Sequence, residues 1–135
     1  MTTAGYNAYK TAEITTADPV TLTTMLFDGA IKAMKKARIF HESGNREGFL
    51  EQADRAHLIV GELLATLDME QGDLPKTLSG LYAYCMRAIV ESTLGDLSKL
   101  DDAELHITRI AAAWKQATAS LREAVEGQAF TGAAA

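Results

Sequence analysis

Four long stretches of the 135-residue chain carry apolar residues at every third or fourth position, and the helix-breaking residues fall between them. That period belongs to helices, since a strand needs alternation at every second residue. The first stretch runs from Pro19 to about Glu42: Asp18 is placed as its N-cap, Pro19 suits the first helical position, and Ser43-Gly44-Asn45 stops it. Its expected core stripe is Leu22, Leu26, Gly29, Ala33, Ala37 and Phe40. The second begins after Asn45 with Phe49, Ala53, Ala56, Val60, Leu63 and Leu67, and ends in Asp68 to Asp73, which contains Gly72. The third starts near Leu74-Pro75 and aligns Leu78, Leu81, Tyr82, Cys85, Ile89 and Ser92 before Gly95. A fourth is expected from Asp101, where Asp101 and Glu104 have the spacing of a capping box, and carries Ile107, Ile110, Trp114, Ala117, Leu121 and Ala124 inward.

Helices of about 20 residues span ~30 Å, and the short connections make sequential neighbours antiparallel. The expected fold is therefore all-α, an antiparallel up-down four-helix bundle over residues 18–126. Residues 1–17 and 127–135 differ in composition and are expected to be mobile, the first of them able to form a short cap. Two prolines and 7% aromatic residues fit a β-sandwich poorly, and Cys85 alone excludes a disulfide scaffold and fits a reducing compartment. With 13 basic against 18 acidic side chains, the net charge of -5 repels nucleic acid and anionic membranes. Met1 to Lys10 lacks the basic and apolar regions of a signal peptide, and no run reaches the ~18 apolar residues of a membrane span, so the expected location is cytoplasmic.

The first helix is more apolar than a bundle helix requires. At 100° per residue its apolar arc covers about two-thirds of the circumference, against the little more than ~100° that faces a core. Val20, Phe27 and Ile31 project well off the expected stripe, with Met34 at its shoulder, and only Asp28, Lys32, Lys35 and Lys36 hold the polar strip. Burying four such side chains is worth at most roughly 1.5 to 3 kcal/mol each, so something should cover them. The cover is either another part of the chain, including a skewed bundle that gives this helix two neighbours, or a partner segment laid in a groove. The two are compatible, because a self-segment can occupy a groove until a partner displaces it. Leu58 and Ile59, outward on the second helix, are the alternative partner surface.

Catalytic and metal constellations are not evident. A di-iron bundle needs two Glu-x-x-His pairs, and the nearest sequence is the single Asp54-Arg55-Ala56-His57. His41 and His106 read as solvated, and Asp101-Asp102 as a helix cap rather than a carboxylate pair. Ala56-His57 before Gly61 resembles the site of histidine phosphotransfer bundles, but Val60 stands where those proteins place a lysine. Lys32, Lys35, Lys36 and Arg38 occupy the second half of a helix, where cations complement the macrodipole, and no stacking aromatics interleave them. They are expected to be solvated, and Trp114 to be packing. No enzyme activity, metal or cofactor is expected.

Ala8-Tyr9-Lys10, Ile14-Thr15-Thr16-Ala17-Asp18-Pro19 and Leu22-Thr23-Thr24-Met25-Leu26-Phe27-Asp28-Gly29-Ala30 together resemble the N-terminal signature of the flagellin-specific export chaperones, the FliS family. Leu63-Leu64-Ala65-Thr66-Leu67-Asp68, Leu81-Tyr82-Ala83-Tyr84-Cys85-Met86-Arg87 and Trp114-Lys115 extend the similarity over roughly residues 8 to 125. Phe27 replaces a frequent tyrosine and Asp18 a frequent serine, and both keep the physical role. The resemblance implies a helical bundle that binds the disordered C-terminal region of flagellin, prevents its premature polymerisation and keeps it competent for type III export. It implies flagellin as partner, with the flagellar export-gate protein as a further candidate, and an N-terminal segment over the groove in which Tyr9 is the matching residue and Tyr6 a second candidate. Val20, Phe27, Ile31, Met34, Leu58 and Ile59 are then the expected partner contacts. A phosphotransfer bundle acting through His57, and a structural homodimer through the surplus face, are the competing readings; the expected state is a monomer or weak homodimer.

Overall fold

A computed structural model describes residues 18–134, with side chains through Gln128. Four helices follow one another: α1 (Pro19–Glu42), α2 (Arg46–Ala65), α3 (Asp73–Thr93) and α4 (Ser98–Ala134). Each packs on its neighbours in sequence, and α4 closes the ring against α1, giving the antiparallel up-down bundle.

The caps explain where the helices start. The Asp18 carboxylate accepts the Thr21 backbone N–H at 2.8 Å and the Thr21 hydroxyl at 3.1 Å, and those bonds hold its pKa below the usual value. Asn45 accepts the Gly48 N–H at 2.9 Å to start α2. The capping box expected at Asp101 and Glu104 is not used. Asp96 takes the Ser98 N–H at 3.1 Å instead, so α4 begins three residues earlier. Asp101 and Glu104 are thereby turned toward α1, where Arg38 bonds Asp101 at 2.8 Å and Glu104 at 2.5 Å. Arg38 is therefore a clasp between the first and last helices rather than a solvated cation. At its other end, α4 runs on unbroken through Gly127 into the segment expected as a separate tail.

The α2 stripe is buried as expected at Phe49, Ala53, Ala56, Val60 and Leu63, and the α3 stripe at Tyr82, Cys85, Ile89 and Ser92, joined by Ala88. Ser92 satisfies its hydroxyl on the Ile89 carbonyl at 2.6 Å. On α1 the buried line is Phe27, Ala30, Ala33, Met34 and Ala37, rotated from the expected stripe toward Phe27 and Met34. The cause is where the neighbours sit: α2 lies against the flank of Gly29 and Phe40 and α4 against the flank of Thr24 and Arg38, so the line between those flanks is the one that faces the core. Most of its surplus apolar surface is ordinary core. Inward residues of α4 are Leu100, Ala103, Ile107 and Ala111, whereas Leu121 is 62% exposed, although the sequence pattern places it inward.

Candidate functional site

Where α1 and α3 begin and α2 ends, the core is not closed. A cavity of about 550 Å³ opens there, walled by α1, α3, α4 and the turn that follows α2. Its floor is aromatic: Phe27, 1% exposed, packs against Tyr82 with ring centroids 6.5 Å apart and against Trp114 at 6.2 Å. Around the floor stand Val20 and Leu22 from α1, Leu67 after α2, Leu74 and Leu78 from the first turns of α3, and Ile110, Ala113 and Ala117 from α4. Among the described residues the polar contributions come from Thr23, Thr66 and Asp68, with the hydroxyl of Tyr82 and the indole N–H of Trp114. That N–H donates to the Thr24 hydroxyl at 3.0 Å. Leu74 is 68% exposed at the mouth.

Such a surface offers apolar area and shape and no reactive group. Tyr82 is the titratable side chain nearest the floor, and burial pushes its pKa up to about 12, which keeps it a neutral phenol. An apolar groove with an aromatic floor and a polar rim accepts the hydrophobic face of a peptide helix.

The expected contacts divide. Val20 and Phe27 come together at this groove, Phe27 as its floor rather than as a projecting side chain. Met34 is fully buried within the core and Ile31 is half-buried against it, so Met34 does not present a surface to a partner. Ile59 is also half-buried between helices; its Cδ1 would lie 3.4 Å from a Cβ built on Gly29. Leu58 is 62% exposed on α2, away from the groove. Tyr6 and Tyr9 lie outside the described residues. His57 sits half-buried on the far face of α2, beside Met86, Arg87 and Val90 of α3. His106, expected to be free in solvent, instead lies 3.4 Å from Asp102, and its ring meets Tyr84 edge-on at 5.6 Å.

Leu22, Leu74, Leu78 and Ile110 are the contributors that the helical period alone does not single out, because inward residues at a helix end and residues of a sealed core share one pattern. Leu74, placed ahead of Pro75 outside the stripe of α3, is the one signal of an uncovered apolar residue at that end.

The described residues form a helical bundle of the class that carries an apolar groove at one end, and hold no cluster of His, Cys, Asp or Glu placed to bind a metal ion. Comparison with known proteins narrows this class. The family model for the flagellar protein FliS matches residues 2–121, and the chain belongs to that family. It is 35% identical over 122 residues to the flagellar secretion chaperone FliS of Salmonella typhimurium, covering 85% of this chain and 90% of the relative. Against the flagellar secretion chaperone FliS of Bacillus subtilis the identity is 32% over 119 residues, 87% of this chain and 89% of the relative. That of Escherichia coli is 34% identical over 102 residues, 73% of this chain and 75% of the relative. No described helix is long and apolar enough to cross a membrane.

Proposed function

We propose that this chain is a cytoplasmic chaperone of flagellar secretion that holds the C-terminal segment of flagellin, blocks its premature polymerisation and keeps it competent for type III export. The observation that carries this reading is the open end of the core, an apolar groove of about 550 Å³ with an aromatic floor, in a chain of the FliS family. The captured segment folds on binding: an unstructured chain with an apolar stripe loses conformational freedom and gains burial against Leu22, Leu74, Leu78 and Trp114. The acidic outer surface, with its net charge of -5, keeps the complex dispersed. The export-gate protein is the receiving partner in this reading, and the N-terminal residues with Tyr9 are the removable cover of the groove.

Calorimetric titration of the purified protein with the C-terminal segment of flagellin tests the reading. Leu74→Asp, at an exposed position on the mouth, should weaken binding at least ~10-fold, the equivalent of ~1.4 kcal/mol, and leave the melting temperature in place. Failure of the unaltered protein to bind the segment, or full affinity in the variant, would overturn the assignment of this groove.

A further inference from the structure

The fourth helix does not end with the bundle. Thr24 meets Trp114, Asp28 meets Lys115 at 2.7 Å, and the charge of Arg122 reaches Asp18, so α1 begins opposite the turn of α4 around residues 118–122. Beyond that turn α4 continues to Ala134 with no described helix opposite it. The face it carries outward is the one that lines the groove: Ile110, Trp114 and Ala117 continue at steps of three and four into Leu121 and then Ala124 and Val125. Leu121 is 62% and Val125 57% exposed, and no charged residue interrupts the stripe. Resting on the reading of the groove just given, we infer that the docking surface continues along α4 through Ala117, Leu121 and Val125 and takes the captured segment as an amphipathic helix of about four turns, since residues 110–125 span ~22 Å.

The occupant follows from three features. Ala113, Ala117 and Ala124 are small, which lets a second helix approach closely, whereas an extended peptide would leave the gaps between Leu121 and Val125 unfilled. Beyond the groove the chain's own residues 1–17 are a poor match: Tyr6 and Tyr9 are three apart, but no large apolar residue follows at the next step of three or four, Ile14 coming five residues on, and Gly5 and the Thr15-Thr16 pair weaken a helix. A second copy meeting this stripe through two large side chains falls well short of the ~1,200 Å² that a stable pair of proteins buries. A partner segment already anchored in the groove needs no such area, because its second contact is intramolecular.

The test uses the full chain with the C-terminal segment of flagellin as probe. Leu121→Glu combined with Val125→Glu replaces two exposed residues by good helix formers, so the melting temperature should stay where it is. Binding of the segment should fall 10-fold or more, and the amides of residues 118–126 in the unaltered protein should gain protection from hydrogen exchange in the complex. Full affinity in the double variant, with Leu74→Asp still impaired, overturns the extended track and leaves the groove reading standing. Loss of binding in neither variant, or no binding by the unaltered protein, overturns both. Protection of the same amides in the isolated protein at high concentration, absent on dilution, would assign the stripe to a second copy and also overturn the inference.

Discussion

The indole N–H of Trp114 donates to the hydroxyl of Thr24 at 3.0 Å, and that hydroxyl in turn donates to the carbonyl of Val20, also at 3.0 Å. A three-group relay thus fixes the orientation of the largest side chain in the groove wall and ties α4 to the first turn of α1. Trp114 is the only tryptophan in the chain, so its emission reports on the groove alone. Capture of a partner segment should shift that emission to shorter wavelength as water leaves the ring. Trp114→Phe should keep the fold and bind more weakly, having lost the bond that aims the ring; an unchanged affinity would mean that the indole is only a spacer.

Phe27 and Leu74 line one cavity but belong to different classes of residue. Phe27 is 1% exposed and holds the floor in contact with two rings, whereas Leu74 is mostly in water. Phe27→Asp should unfold the protein, because a buried carboxylate there has no partner, while Leu74→Asp should alter binding alone. Met34→Ala, in the sealed core, should cost ~2 to 5 kcal/mol without specific effect on capture. Denaturant melts run beside titrations separate the three.

These contrasts show what the sequence carries. Stripes such as Phe49 to Leu63 and Tyr82 to Ser92 were legible because a helix with one buried face repeats every three to four residues whatever its neighbours. The rotation of the α1 stripe toward Met34 was not, because it depends on which flanks of α1 meet α2 and α4, a property of packing. The groove was hidden for a related reason: Leu78 and Ile110 carry the same pattern whether the core is sealed above them or open. The same periodicity places Leu121 inward, and its exposure depends on α1 beginning opposite an earlier turn of α4.

Gly48 and Gly80 should respond oppositely to alanine. A Cβ on Gly48 would lie 2.7 Å from Cγ of Phe40, whose ring is itself packed against the core, so Gly48→Ala must push α1 and α2 apart locally. Its expected cost is about 1 to 3 kcal/mol, the range for overpacking. Gly80 is in the exposed interior of α3, with nothing within 4 Å of the added carbon. Gly80→Ala should therefore stabilise by about 0.5 to 1 kcal/mol through helix propensity. Thermal unfolding of both variants checks the pair.

Arg38 joins the two ends of the chain fold by bonding Asp101 and Glu104, and these charge-assisted bonds raise its pKa further above the usual range. The Glu104 side chain is only 15% exposed, so removing Arg38 leaves a carboxylate short of solvent and of a partner. Arg38→Met should destabilise by roughly 2 kcal/mol. Lys115→Met, which removes an exposed pair with Asp28, should change stability by less than ~1 kcal/mol and lose even that in high salt. Equal effects at the two positions would show that the clasp is no stronger than an ordinary surface pair.

Cys85 supplies a prediction with a defined sign. Burial between α3 and α4 pushes its thiol up to about 11 from an ordinary value of 9.0, with the charge of Asp102 adding to the shift. The unfolded chain therefore loses this proton at lower pH than the folded protein does, and between those values the folded state binds more protons. Stability contributed by the neutral thiol is complete below about pH 9 and falls as the pH rises toward about 11. Cys85→Ala should remove that component of the alkaline decline, while other groups that titrate there remain. Below pH 9 the thiol should also resist alkylation until the protein unfolds, since the nucleophile is the thiolate and the sulfur is closed from solvent. Modification of the folded protein at the rate of a free thiol at pH 8 would show that α3 and α4 separate readily around Cys85.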